Sequence, residues 1–301
     1  MKKTDPATAS ALLRGVYDLH VHSAPDVLKR KVSDFDMAER MIERGMAGFV
    51  SKSHFFCTAQ RAEMVRDKYP ACHAVGAVCL NNAVGGINPI AVEMAARAGA
   101  RLVWFPTCDA QWERDYAEKD NGKKAFWASI VEDLEASGVR SPGISLLDDK
   151  GRLTGPVHDV LEIIRKNDMV LCTGHISHPE AFSLIKAAHD AGVKRIIVTH
   201  VTFPSTFYTV EEQRELIRYG ALMEQCYSTY ATGKAALDVI LDQIRAVGPE
   251  HYVLGSDLGQ ITRDYPDDGM LRFVTDLYEG GMTEQEIGRM SKENSKSLVC
   301  V

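Results

Sequence analysis

Val16-Tyr17-Asp18-Leu19-His20-Val21-His22-Ser23-Ala24-Pro25 is a short apolar run that ends in two histidines one residue apart. In an extended strand, residues i and i+2 point to the same face, so His20 and His22 reach one point in space. Neutral imidazole binds zinc well, and two on one face make half of a tetrahedral site. Taken alone the motif is short, and a surface pair reads the same way. The decision rests on what the chain places at the ends of its other strands.

Working outward, Ser33-Asp34-Phe35-Asp36 is a capping-type start to a helix that runs to Arg44 and stops at Gly45. Met46 to Ser53 is a short apolar strand followed by His54, and a helix spans Thr58 to Lys68. A strand at His73 to Cys79 leads to a helix from Pro89 to Ala98, and Arg101 to Phe105 is the fourth strand. Pro106 to Asn121 reads as the longest early loop, Lys123 to Ala136 as a helix, and Gly143 to Leu153 as an inserted β-hairpin with a polar turn. Strands at Met169 to Thr173, Arg195 to Thr199, Ala221 to Cys226 and Tyr252 to Gly255 alternate with helices at Val157 to Lys166, Pro179 to Ala191, Glu211 to Arg218 and Lys234 to Val247. Helices at Met270 to Glu279 and Thr283 to Val299 close the chain.

Eight strands, each followed by a helix, match a (β/α)8 TIM barrel, an α/β fold. A doubly wound open sheet would carry a Gly-rich phosphate loop after its first strand, where this chain has His-x-His. There is no linker, repeat or low-complexity segment, so residues 1–301 read as a single barrel domain.

Composition narrows the function. The chain is 45% hydrophobic and 25% charged, as an ordinary globular enzyme is. A net charge of -6 and the absence of any basic run argue against nucleic acid as a partner. No stretch of about 18 apolar residues offers a membrane span, and Met1-Lys2-Lys3-Thr4-Asp5-Pro6 lacks the apolar core of a signal peptide. The seven cysteines show no C-x-x-C spacing and several lie in apolar strands, so a cytoplasmic protein with reduced core thiols is expected.

Ligand-type residues recur where a barrel would place them. Strand one ends in His20 and His22, strand five in Cys-Thr-Gly-His175, strand six in Val-Thr-His200 and strand eight in Leu-Gly-Ser-Asp257. In a barrel these ends converge on one face, where active sites sit. A single histidine at such a place is as readily a satisfied core residue, but four histidines and an aspartate together describe a metal site with hydrolytic potential.

With these motifs the chain resembles the amidohydrolase superfamily, metal-dependent hydrolases on a distorted (β/α)8 barrel. The matching features are His20-Val21-His22, Gly174-His-Ile-Ser-His178, Thr199-His200-Val201 and Gly255-Ser256-Asp257, in order over nearly the whole chain. The resemblance implies one or two divalent ions, zinc in the first instance with manganese or iron as alternatives. His20, His22, His175, His200 and Asp257 would hold them. It also implies that Asp257 acts as the base, and that His200 either ligates a second metal or polarises the substrate.

Two features depart from the family pattern. Only about 15 residues precede strand one, so no flanking β-sandwich is expected. Strand four ends Val103-Trp104-Phe105-Pro106-Thr107, without the carboxylated lysine or glutamate that bridges two metals in many members. Lys52 and His54 are the local substitutes. Lys52 would bridge if carboxylated, bind an anionic group as an ammonium, or snorkel at the surface. His54 is a ligand or a substrate contact, and His178 a ligand, a residue behind the ligands or a substrate contact. Arg263 and Tyr230 add substrate lining, with the loop Cys108 to Tyr116. Glu224 in strand seven faces the interior or forms a buried ion pair.

The function expected from this reading is hydrolysis of an amide, cyclic amide or lactone in a small molecule by a metal-activated water. A decarboxylase or hydratase on the same metal face is the alternative, followed by a phosphoesterase and by a non-catalytic metal-binding barrel. The expected partners are a small-molecule substrate and further copies of the chain in a homo-oligomer, with neither nucleic acid nor membrane.

Overall fold

The computed structural model describes residues 4–119 and 127–300. Eight strands form one parallel sheet in sequence order: β1 (Tyr17–Val21), β2 (Gly48–Ser51), β3 (His73–Cys79), β4 (Ala100–Trp104), β5 (Val170–Cys172), β6 (Arg195–Val198), β7 (Ala221–Cys226) and β8 (Tyr252–Gly255). Nearly every strand residue is buried, the pattern of a parallel sheet covered on both faces.

Fourteen α-helical segments are described. They are α1 (Pro6–Leu13), α2 (Asp34–Glu43), α3 (Ala59–Lys68), α4 (Pro89–Arg97), α5 (Gln111–Lys119), α6 (Ala128–Ala136) and α7 (Gly155–Lys166), then α8 (His178–Ala191), α9 (Val210–Ile217), α10 (Tyr227–Ala231), α11 (Leu237–Val247), α12 (Pro266–Glu279), α13 (Glu284–Gly288) and α14 (Ser295–Val299). At least one follows every strand, which makes the (β/α)8 TIM barrel expected from the sequence. Reciprocal capping boxes start α2 (Ser33 with Asp36), α8 (Ser177 with Glu180) and α9 (Thr209 with Glu212), so the first turn of each is fixed by local chemistry.

The seam between β1 and β8 closes the barrel through a mixture of backbone and side chain. His22 N donates to Leu258 O and Asp257 N to His20 O, each at 2.8 Å, while Val21 and Leu258 form an isolated parallel bridge. Where a further ladder bond would lie, the buried carboxylate of Asp18 accepts from Ser256 N at 2.8 Å. The N-terminal end of the barrel is covered by α14: Arg195 and Arg101, at the starts of β6 and β4, donate to Ser297 O and Leu298 O. The opposite end is left to the strand-end loops.

Several expectations change. The hairpin over Gly143 to Leu153 reduces to one antiparallel bridge, Leu147 with Leu153, around a turn at Asp148 to Gly151. Ile144 pairs instead with Ala110, so this segment packs on the loop after β4. That loop is not irregular: α5 occupies most of it, because Trp112 Nε1 donates to Ser205 O and Glu113 turns inward, giving a polar segment a buried face. The first residues of the helix placed at Lys123 to Ala136 lie outside the described residues, and Ala128 to Ala136 is helical. The closing helix is interrupted by a π-helical stretch, Arg289–Asn294, between α13 and α14. Asn294 there donates to Glu250 O and Tyr252 O, tying the irregular turns to the start of β8. No described helix is long and apolar enough to cross a membrane, and all seven cysteines are free.

Candidate metal centre

The strand ends gather the histidines into one cluster. His20 Nε2 and His22 Nε2 each lie 3.3 Å from Asp257 Oδ1. His175 Nε2 and His200 Nε2 face each other at 3.1 Å, and the His20 and His200 rings stack with centroids 6.1 Å apart. Bonds of about 2.0–2.1 Å at tetrahedral angles separate neighbouring donor atoms by about 3.3 Å. His20 and His22 each have that spacing from Asp257, and the three donor atoms lie within 4.8 Å of one another, so the residues fit a divalent cation there. His175 and His200 bring two further imidazole nitrogens to the same cluster.

The backbone is forced at two of these positions. His200 and Asp257 have φ of 29° and 51°, a region that side-chain-bearing residues adopt at a cost of about 1–3 kcal/mol and that clusters at functional sites. Beside them, a Cβ at Gly255 would lie 2.9 Å from His20 Cβ and 3.2 Å from Glu224 Oε1. Glycine is needed there because β8 passes hard against the ligand and its support.

Behind the ligands, buried carboxylates and hydroxyls set the ring tautomers. Glu224 is fully buried, with Oε1 and Oε2 at 3.2 and 3.3 Å from His20 Nδ1, and it also accepts from His200 N at 3.1 Å. A carboxylate can only accept, so His20 carries its proton on Nδ1 and turns a lone pair at Nε2 into the site. His200 Nδ1 lies 2.9 Å from the Thr206 hydroxyl, which also donates to His200 O, so its Nε2 is likewise left to the site. Glu113 of α5 stands with Oε1 3.6 Å from His175 Nδ1. Its Oε2 and His175 Nδ1 are both buried without a hydrogen-bond partner, as is His22 Nδ1. Cys226 also approaches His20 Nδ1, at 3.9 Å, but burial pushes its thiol well above the usual range and leaves it a neutral neighbour.

Charge in the site follows burial. Burial, reinforced by Arg30 and by neighbouring histidines, holds His22, His54 and His200 well below the usual imidazole range, so they are neutral. Burial alone would raise Asp257, but the hydrogen bond from His22 works against it and the carboxylate is held well below the usual range. Ser228 Oγ donates to Asp257 Oδ2 at 2.7 Å. Asp18, with only backbone and hydroxyl donors around it, is raised by burial to about 7.

The other sequence candidates separate. Lys52 is not a snorkelling surface residue: it is 1% exposed, with Nζ 2.9 Å from His20 Nε2 and 4.9 Å from the centre of the Trp104 ring. His54 stacks on His22 with centroids 4.9 Å apart. His178 is engaged elsewhere, bonded to Glu212 at 2.9 Å and stacked on Tyr208, and Arg263 is exposed in the loop after β8. Neither is brought to the histidine cluster. Tyr230 is half-buried, with its ring edge-on to Tyr227. Glu113 stood out in the sequence only as part of the lining loop Cys108 to Tyr116, and Arg30 had no sequence signal. Arg30 sits in Lys29-Arg30-Lys31, which reads as solvated charge, yet its side chain is 1% exposed and paired with Asp26 at 2.6 Å beside His22 and His54.

Over residues 15–224 the chain matches, and belongs to, the family described as "Family of unknown function (DUF6282)". No curated protein matches it. Its fold is similar to that of an amidohydrolase from Pseudomonas aeruginosa, with 11% identity, 98% of each chain covered and a TM-score of 0.62. It is similar also to the probable dipeptidase PvdM from the same organism, at 10% identity, 98% of each chain and a TM-score of 0.63. YJJV, a TatD homologue from Escherichia coli k12, aligns over 96% of this chain and 99% of its own at 13% identity, with a TM-score of 0.55. These proteins share the amidohydrolase-type barrel, and this chain has the same fold.

Proposed function

We propose that the chain is a metal-dependent hydrolase that directs an activated water at an amide, cyclic amide or lactone in a small molecule. The observation that carries this is the meeting of His20 Nε2 and His22 Nε2 on Asp257 Oδ1, each at 3.3 Å and all three within 4.8 Å of one another, beside the facing His175 and His200 nitrogens. The fold of the amidohydrolase and of the probable dipeptidase agrees with it. One or two divalent ions are expected, zinc first and manganese or iron as alternatives. When bound, such an ion acidifies water and polarises a carbonyl oxygen. His20, His22 and Asp257 hold the first, with His175 and His200 for a second.

The chain's own groups do the rest. Asp257 is ionised and accepts the proton of the attacking water at Oδ1, while the Ser228 hydroxyl keeps Oδ2 occupied and the carboxylate in one orientation. Glu224 holds the His20 proton on the far side of the ring. Lys52 as an ammonium competes with a cation for the His20 lone pair. Carboxylated, it would instead stand as a bridging ligand beside His20. A single-domain, cytoplasmic protein assembling with copies of itself completes this reading.

Elemental mass spectrometry on protein purified without added metal tests it. One or two equivalents of zinc, manganese or iron are expected, and Asp257→Asn is expected to retain most of the metal while turnover falls by about 10²–10⁴. No metal after reconstitution at neutral pH, or an Asp257→Asn variant with undiminished turnover, refutes the mechanism.

A further inference from the structure

His54 ends the β2 side of the site, and its Nδ1 lies 2.8 Å from Thr107 Oγ1. Which of the two donates is decided one residue further out. Asn81, fully buried just beyond β3, accepts at Oδ1 from Thr107 N (2.9 Å) and Asp109 N (3.3 Å). Backbone N–H groups only donate, so the amide orientation is fixed and Nδ2 is the donor end. That end donates to His54 O at 2.8 Å and to Thr107 Oγ1 at 2.7 Å. The Thr107 hydroxyl therefore has its own proton left to give. The imidazole nitrogen at 2.8 Å is a far better acceptor for it than the adjoining Cys108 sulfur. Nδ1 of His54 accepts, and the ring proton sits on Nε2.

This sets His54 apart from His20, whose proton Glu224 holds on Nδ1. His20 presents a lone pair to the site and His54 presents an N–H. Stacked on His22 and edge-on to His175 at 6.4 Å, the His54 ring lies between the two ligand groups. We propose that His54 is not a metal ligand but the hydrogen-bond donor for a substrate oxygen, the carbonyl oxygen or the oxyanion that replaces it, and that Asn81 and Thr107 are the positioning residues that set this role. The absence of a lysine or glutamate at the end of β4 then has a local reason, because Thr107 occupies that position to orient His54. The inference deepens the hydrolase reading and rests on it for the identity of the bound oxygen, whereas the tautomer stands on the chain's own hydrogen bonds.

Two-bond proton–nitrogen NMR of 15N-labelled protein, metal-free and zinc-loaded, tests it, with His54→Asn assigning the ring. Protonated Nε2 and bare Nδ1 are expected for His54 in both forms, and the reverse for His20. Thr107→Val is expected to release the His54 tautomer, and the wild-type spectra decide the matter even if that variant does not fold. His54→Asn is expected to bind zinc within about twofold of wild type and to lose turnover by about 10²–10³. Saturating acetate, offering zinc a carboxylate oxygen, is expected to shift the His54 Nε2 proton. A His54 protonated on Nδ1, metal-bound at Nε2 or unmoved by acetate overturns the proposal. A wild type that binds no zinc yet shows the expected tautomer refutes the hydrolase reading and the substrate role, leaving the positioning by Thr107 intact.

Discussion

Glu224→Gln and Glu224→Ala separate the stability of the barrel from the chemistry of the site. Glu224 accepts from two buried donors, His20 Nδ1 and His200 N. Alanine leaves both unpaired, and a buried unpaired donor costs about 1–3 kcal/mol, so about 2–6 kcal/mol is lost from a fold whose total stability is of the order of 5–15 kcal/mol. Glutamine has another way out. Its oxygen accepts from His200 N–H, and its amide N–H donates to His20 Nδ1, provided that His20 moves its proton to Nε2. The fold is kept within about 1 kcal/mol, but the lone pair facing Asp257 is gone. Loss of such an outer hydrogen bond typically weakens metal binding 10–100-fold, about 1.4–2.7 kcal/mol. Urea unfolding gives the first quantity and zinc competition against a chromogenic chelator the second. A glutamine variant with wild-type zinc affinity, or an alanine variant as stable as wild type, would falsify the assignment of Glu224 as the group that orients His20.

Two other perturbations probe the same site. In chelator-treated protein, His22, His54 and His200 are neutral when folded but titrate near 6.5 when unfolded, so the stability they contribute is complete above that pH and lost as pH falls below it. Asp18, raised to about 7, opposes them, because its contribution is present at low pH and lost as pH rises through 7. Three imidazoles outnumber one carboxyl, so the urea midpoint is expected to drop from pH 7.5 to pH 5.5, by up to about 1.4 kcal/mol per net proton per pH unit. A flat or rising midpoint would contradict the neutral buried cluster. Gly174→Ala places a Cβ 2.2 Å from Phe105 O and 2.5 Å from Pro106 O at a φ of 69°, and the next residue, His175, donates to Pro106 O. A loss of at least about 2 kcal/mol together with weaker binding of a second zinc is expected, and a wild-type urea midpoint rules out the close packing.

The ligand-type residues were legible because strand ends write themselves into sequence: an apolar run, then the chemistry. His20, His22, His175, His200 and Asp257 each stand at such an end and converge in space. The supporting residues were less legible to the degree that they leave the strands. Glu224 sits within β7, where the sequence left an interior-facing residue and a buried ion pair open; it is buried against His20. Glu113, Arg30 and Thr107 come from a helix and loops, where no period announces which polar side chain turns inward. Glu113 belongs to Gln111-Trp-Glu-Arg-Asp-Tyr-Ala-Glu-Lys119, whose charge reads as a solvated face, and Trp112 docked on Ser205 is what turns it in. His178 misled for the opposite reason. It follows a ligand by three residues, but as the first residue of α8 it points along the helix toward Glu212 of α9.

The site and the closure of the barrel use the same residues. Between β1 and β8 the bonds that make the seam come from His20 O and His22 N on one side and from Asp257 N and Leu258 O on the other. The side chains of His20, His22 and Asp257 then meet above that seam. A cation held by all three spans the strands that are first and last in sequence, the contact with the largest chain separation in the sheet and so the one whose ordering entropy is greatest. Were a cation bound there, its binding and the closure of the barrel would be one equilibrium, and binding free energy would add to folding free energy. The His175 and His200 side differs. Its strands, β5 and β6, are already paired by a regular ladder, so a second cation gains nothing from closing the sheet. What it would bring into register is Glu113 on α5, whose carboxylate stands 3.6 Å from His175 Nδ1 with neither partner otherwise satisfied. A first cation would thus be tied to the scaffold, and a second to a loop helix.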